Sequence, residues 1–268
     1  MKPAPFDYRA PRSLDAALEL IAGEDARPLA GGQSLIPMLN FRLARPSRLV
    51  DLHLVAGLDA MRVSRGDGCL SIGAMTTQAM VERSPEVAQR WPLLAEAVAH
   101  VGHAAIRARG TVGGSVAHAD PAAELPTALT ALDARFRLCS VRGERTLTAS
   151  ELFCGALTTA IASDELLVEV EVPVAPPGAR MAFVEHARTH GDFAQGGVAV
   201  VVAADRHASV ALLGAGPTPV RAPDAERALI EGADARQAAE LAVTRLPDGH
   251  RRALLRALVV RALERVGR

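Results

Sequence analysis

The chain has 268 residues, enough for two modest domains with a real buried core. Its 30 Lys and Arg residues balance 30 Asp and Glu residues, so no long-range field favours nucleic acid or an anionic membrane. No apolar run approaches the roughly 20 residues that cross a bilayer, and no apolar stretch follows Lys2 to mark a secretory signal.

In chain order, Ser13 to Ala22 predicts a helix capped by Ser13, with Leu14, Leu18 and Ile21 on one face and Gly23 at its end. Pro28 to Ala30 reads as a short strand running into Gly31-Gly32. Strands are expected at Arg48 to Leu52 and Cys69 to Ala74, then helices from Thr76 or Thr77 to Arg83 and from Trp91 to Val101. Arg135 to Val141 and Glu165 to Val172 alternate apolar and polar residues, as half-exposed strands do. The stretch Pro173 to Gly178 resists both helix and sheet, and a domain boundary is expected there. Beyond it a strand at Val198 to Ala203, a turn at 204–207 and a strand at Ala208 to Leu213 read as a hairpin. Helices follow at Ala225 to Ile230 and Ala235 to Thr244. The last is amphipathic, with Leu255, Leu258, Val259, Leu263 and Val266 on one side. Helices and strands mix throughout, so the class is α+β or α/β.

Three cysteines, Cys69, Cys139 and Cys154, lie far apart. They have the spacing of neither a disulfide framework nor a zinc or iron–sulfur site, and they suit a reducing cytoplasm. The histidines, His100, His103, His118, His186 and His190 among them, form no metal motif, so no metal site is expected in this chain.

Two segments carry the chemistry. In Leu29-Ala30-Gly31-Gly32-Gln33-Ser34-Leu35-Ile36-Pro37 a glycine pair follows a short strand. Successive amides in such a turn can cradle a phosphate, with Gln33 and Ser34 as extra donors; an ordinary strand-to-helix turn has the same look. The second runs from Ile106 to Pro121, with Thr111 and Ser115 flanking Gly113-Gly114 and Asp120 a few residues on. An acidic residue so placed can accept hydrogen bonds from ribose or ribityl hydroxyls. Arg107 and Arg109 can neutralise phosphate or simply face solvent. Two such loops in one domain suit a ligand with two phosphates, FAD or another dinucleotide.

Together the two segments resemble the paired signatures of the flavoprotein subunit of molybdenum hydroxylases, the family of the carbon monoxide dehydrogenase medium subunit and the xanthine dehydrogenase FAD domain. The first signature, close to A-G-G-x-S-L-x-P, matches Ala30 to Pro37, and the second matches Ile106 to Pro121. Further matches fall at Thr158 to Leu167, Gly191 to Ala194 and Gly214 to Arg221, so the resemblance spans nearly the whole chain. It implies an α+β fold of the vanillyl-alcohol oxidase and enolpyruvyl reductase (PCMH) type. Residues 1–174 would form the FAD-binding domain, in subdomains of about 1–57 and 58–174, and residues 178–268 a C-terminal α+β domain. By resemblance, Ala30, Gly31, Gly32, Gln33, Ser34 and Leu35 hold the pyrophosphate. Thr111, Gly113, Gly114 and Ser115 face it, Asp120 takes a cofactor hydroxyl, and Phe193 stands near the flavin ring or else is a core aromatic. Ala108, in place of the usual asparagine, and Glu185, where some relatives have lysine, depart from the pattern.

The implied function is electron transfer. FAD in this chain takes electrons from a [2Fe–2S] partner subunit, whose supply is a molybdenum-binding large subunit carrying molybdopterin. An external acceptor removes them. No catalytic side chain of this chain is required. The implied assembly is a dimer of heterotrimers in the cytoplasm, with any membrane association made through the complex. Rival readings are a self-contained FAD oxidoreductase acting on its own small organic substrate, and a non-catalytic interaction protein lacking cofactor. A nicotinamide-only enzyme lacks its G-x-G-x-x-G.

Overall fold

A computed structural model describes residues 2–23, 25–204 and 207–267. The first unit contains β1 (Asp7–Arg9), α1 (Leu14–Ile21), β2 (Ala26–Leu29), α2 (Leu35–Asn40) and β3 (Arg48–Asp51). Its three strands form a parallel sheet in the order β1-β3-β2. The Ser13 hydroxyl accepts the Ala16 N–H at the start of α1, as its position before Leu14 predicts. Ala17, Leu18 and Ile21 point inward and pack with Val50, Leu52, Val55 and Leu58.

The second unit contains β4 (Met61–Val63), β5 (Leu70–Gly73), α3 (Gln78–Arg83), α4 (Pro85–Arg90), α5 (Pro92–His100), α6 (Ala104–Arg107), α7 (Val112–His118) and α8 (Glu124–Ala131). It continues with β6 (Arg135–Ser140), β7 (Gly143–Thr148), α9 (Ala149–Leu152), β8 (Phe153–Gly155), β9 (Thr158–Thr159) and β10 (Leu166–Val172). A five-stranded antiparallel sheet runs β4-β5-β10-β6-β7. Its alternating strands serve two cores. Phe136, Leu138 and Val170 face α5, α7 and α8, while Cys139, Leu166 and Val168 join the core of the first unit.

The Pro173–Gly178 stretch is a loop, fixed at one end where the Trp91 indole N–H donates to the Pro173 carbonyl at 2.8 Å. Beyond it come β11 (Arg180–His186), β12 (Gly196–Ala203), β13 (His207–Leu213), β14 (Val220–Arg221), α10 (Pro223–Ile230), α11 (Ala235–Val243) and α12 (His250–Gly267). The four strands form an antiparallel meander in chain order. One face packs on α10 to α12 through Val198, Val200, Leu255 and Val259. The other face, through Phe183, Ala199, Val201 and Leu213, shares the main core with α5 and α8. Coverage on both faces explains why β12 is apolar without alternation. The turn expected at 204–207 falls partly on Asp205 and Arg206, outside the described residues, and His207 already belongs to β13.

Candidate functional site

The two glycine segments meet. A methyl group on Gly31 would overlap the Arg109 carbonyl and lie 2.9 Å from the Cα of Gly110. One on Gly114 would lie 3.4 Å from the Ala30 methyl. At Gly31 only glycine permits this backbone-to-backbone approach.

The first turn leaves its amides free. Gly32 sits at φ +73°, the left-handed region that favours glycine. The ladder of α2 begins with Ile36 N–H donating to the Gly32 carbonyl at 3.1 Å. The N–H groups of Gly32, Gln33, Ser34 and Leu35 find no acceptor among the described residues. A run of unpaired amides in one turn is a nest for an anion. Gln33 braces the turn, its Nε2 donating to the Gly31 carbonyl at 3.0 Å. Ser34 is exposed and its hydroxyl makes no capping bond. Leu35 contributes its amide while its side chain packs against the cluster of Leu29, Leu39 and Leu49.

The second turn spends its amides internally. Val112 N–H donates to the Thr76 carbonyl at 3.0 Å, Gly113 N–H to the Ala74 carbonyl at 2.9 Å and Ser115 N–H to the Thr111 carbonyl at 3.1 Å. The Thr111 hydroxyl caps α7 by accepting the Gly114 N–H at 2.9 Å. Gly113 serves close packing, since a Cβ there would sit 2.5 Å from the Ala74 methyl. The hydroxyl hydrogens of Thr111 and Ser115 are the donors this wall can still offer.

Arg107 is not a free phosphate ligand. It is 8% exposed, its guanidinium forks onto Glu82 through two 2.8 Å bonds, and it also donates to the Val101 and Gly102 carbonyls. Arg109 is exposed with no ion pair among the described residues. Ala108 caps α6 at the surface. Ala119, left-handed at φ 50°, ends α7 and turns the chain into Asp120. Asp120 Oδ1 accepts the Ala122 N–H at 2.8 Å, leaving Oδ2 without a protein partner among the described residues. Phe193 is 75% exposed, which excludes a core role. Its loop lies against the turn that leads into α6, just before the second segment: a Cβ on Gly191 would sit 2.7 Å from the His103 Nδ1. The chain neighbours of Asp120 and Phe193, Pro121 and Ala122 on one side and Ala194 and Gln195 on the other, line an open cavity of about 570 Å³ together with Arg188 and Arg251.

Sequence reasoning missed a further cluster. The Glu185 side chain is 6% exposed; its Oε1 lies 3.2 Å from Nδ1 of the half-exposed His100, and its Oε2 is buried with no partner among the described residues. The hydrogen bond to Glu185 raises the His100 pKa above the usual imidazole value, against the opposing effect of burial. Glu124, 7% exposed, is pushed up to about 7 by burial first, with Glu185 and Asp120 repelling its charge and His100 opposing them. Only the departure from the family pattern at Glu185 pointed here. No group of His, Cys, Asp and Glu among the described residues can hold a metal ion. No described helix is long and apolar enough to cross a membrane.

The arrangement fits a diphosphate dinucleotide. It has a turn with four unpaired amides, a second segment packed against it that offers the Thr111 and Ser115 hydroxyls, and an acidic residue with a free oxygen. Comparison with known proteins agrees. Residues 4–175 match the family described as the FAD binding domain in molybdopterin dehydrogenase. The chain is 45% identical to the 6-hydroxypseudooxynicotine dehydrogenase complex subunit alpha of Paenarthrobacter nicotinovorans, across 98% of this chain and 93% of that one. It is 38% identical to the carbon monoxide dehydrogenase medium chain of Afipia carboxidovorans, across 86% and 81%. The structure of carbon monoxide dehydrogenase from Hydrogenophaga pseudoflava, in a form lacking the Mo-pyranopterin moiety, superposes with a TM-score of 0.94 at 35% identity, over 100% of this chain and 99% of that one.

Proposed function

Since this chain belongs to the FAD-binding domain family of molybdopterin dehydrogenases, we propose that it carries electrons from a [2Fe–2S] partner subunit to an external acceptor. The observation that carries this reading is the contact between the two glycine turns, with the unpaired amides of Gly32 to Leu35 beside it. Ala30, Gly31, Gly32, Gln33, Ser34 and Leu35 hold the FAD pyrophosphate. Thr111, Gly113, Gly114 and Ser115 close over it, Asp120 binds a hydroxyl, and Phe193 lies at the flavin end. When bound, FAD supplies the ability to receive electrons singly and release them in pairs. The chain's own residues bind it, orient it and exclude water from its diphosphate.

In this assignment residues 1–174 hold the cofactor and residues 178–268 complete the cavity. The chain works in the cytoplasm within a dimer of heterotrimers, beside a molybdopterin-bearing large subunit and a [2Fe–2S] small subunit. Purification of the natively expressed chain with its partners tests this. Flavin, iron and molybdenum in one complex, with flavin bleaching when substrate reduces the iron–sulfur clusters, is the expected result. A flavin-free complex, or substrate turnover by the chain without partners, contradicts it.

A further inference from the structure

The open cavity of about 570 Å³ is lopsided in charge. Arg188, His250 and Arg251 line it and, among the described residues, no acidic one does. Arg188 lies in the loop between β11 and β12, and His250 and Arg251 begin α12, so two distant segments bring the three together. All three are exposed, and none has an ion pair or a side-chain hydrogen bond among the described residues. Nearby acids are engaged or turned elsewhere. Asp248 is taken up by Arg252, and Asp192 shares the loop of Arg188 without lining the cavity. The backbone around the cavity is fixed at several points. Gln195 N–H donates to the His186 carbonyl at 2.8 Å and closes the base of the loop. Gly214, left-handed at φ +72°, lets the end of β13 approach it: a Cβ there would lie 3.2 Å from the Gln195 carbonyl oxygen. Gly214 N–H donates to the Pro121 carbonyl at 3.3 Å. A Cβ on Gly196 would lie 3.0 Å from Leu255 Cδ2, so α12 is seated directly on β12.

Cations gathered around one cavity repel each other, and an entering anion relieves that repulsion. Guanidinium forks suit the oxygens of a phosphate, and a histidine ring adds a further hydrogen-bonding nitrogen. A phosphate monoester carries about −1.5 to −2 charges at neutral pH, enough to match two arginines, where a single carboxylate would not. The cavity is larger than a bare phosphate needs and falls within the range of small-molecule sites, roughly 300 to 1,000 Å³. Pro121, Ala122, Ala194 and Leu254 offer apolar surface to the rest of a ligand. We propose that this cavity is a second binding site, for a phosphate monoester with a small apolar body, its phosphate held by Arg188, Arg251 and His250. It shares no residue with the amides of Gly32 to Leu35, so it stands independently of the FAD assignment.

Calorimetric titration of the purified flavin-containing complex with phenyl phosphate tests this. The probe has the charge and an apolar ring and is not a fragment of FAD. The complex should bind it saturably, roughly tenfold more tightly than inorganic phosphate, which lacks the body, or phenol, which lacks the charge. Arg188→Gln and Arg251→Gln should each weaken binding roughly tenfold, and Arg251→Lys less, because the charge survives without the fork. Added salt should weaken binding to wild type more than to either Gln variant. Both arginines are exposed, so the variants should keep the wild-type melting temperature and flavin content. No saturable binding, or equal affinities in wild type and the two Gln variants, overturns the inference while leaving FAD binding intact. Release of flavin by the probe would place it at the first glycine turn and overturns the second site as well.

Discussion

The two glycine turns share a signature and differ in what their backbones do. In the turn at Gly31-Gly32 four consecutive amides face no protein acceptor, and the side chains either brace the loop or turn away. In the turn at Gly113-Gly114 the amides are bonded to Ala74, Thr76 and Thr111, and the glycines let α7 press against β5 and the first turn. One turn is a ligand surface and the other is the scaffold behind it. A glycine pair therefore marks close approach of something, and only the hydrogen-bond partners say whether that is a ligand or the chain itself.

Breaking the contact between the turns should have the largest effect. Gly31→Ala forces the Arg109 carbonyl away and is expected to cost about 3 kcal/mol or more of stability, since backbone rather than a flexible side chain must yield. Flavin content should fall at least about tenfold for a comparable loss of fit at the diphosphate. Gly113→Ala should destabilise similarly by collision with Ala74 while acting on flavin only through the fold. Chemical denaturation read beside flavin absorbance separates the two.

Removing the scaffold's anchor comes next. Arg107→Ala leaves Glu82 without its partner, and because Glu82 is partly exposed and can rehydrate, the loss should be near the low end for such pairs, about 3 kcal/mol. Flavin affinity per folded molecule should change little. A selective loss of affinity with unchanged stability would restore Arg107 as a phosphate ligand.

Glu124→Gln tests the buried start of α8, beyond the second turn, through pH. The pKa of Glu124 is raised in the fold, from an ordinary 4.5 to about 7. Between those values the unfolded chain ionises while the folded one stays protonated, so stability falls as pH rises and the deficit is complete above about 7. The shift corresponds to about 3 kcal/mol. Glu124→Gln should therefore gain on wild type from pH 5 to pH 8, in urea melts at each pH, and match it most closely at the acid end. Ser34→Ala should be smaller still. It removes one exposed donor, so roughly 1 kcal/mol of flavin binding is lost with no change in melting.

Much of the fold was readable because its elements have one wet side. The helices after Ser13 and around Leu255 to Val266, and the strand ending at Val172, carry clear periods and appear within a residue or two of expectation at their better-defined ends. The helix Glu124–Ala131 was not foreseen. It is buried all round, so no polar face marks its period, and Pro126 in its first turn disguises it. The helix Val112–His118 was hidden by its own glycine pair, which lowers helix propensity until the Thr111 cap and packing on Ala74 offset it. At the site, the glycine pairs, Asp120 and the hydroxyls were visible as residues. The division of labour between the turns was not, because it depends on Ala74 and Thr76, far upstream in the chain. The Glu124 cluster was illegible for the same reason, since its members meet only through tertiary packing.

The central claim is that the first turn binds the diphosphate with its main chain while the second holds its shape. Residue-resolved amide hydrogen exchange, on the complex with FAD bound and after FAD removal, tests it directly. The account predicts that Gly32, Gln33, Ser34 and Leu35 gain protection when FAD is present, and that Gly113, Gly114 and Ser115 are protected in both states. Protection gained at the second turn, with Gly32 to Leu35 unchanged, would contradict it.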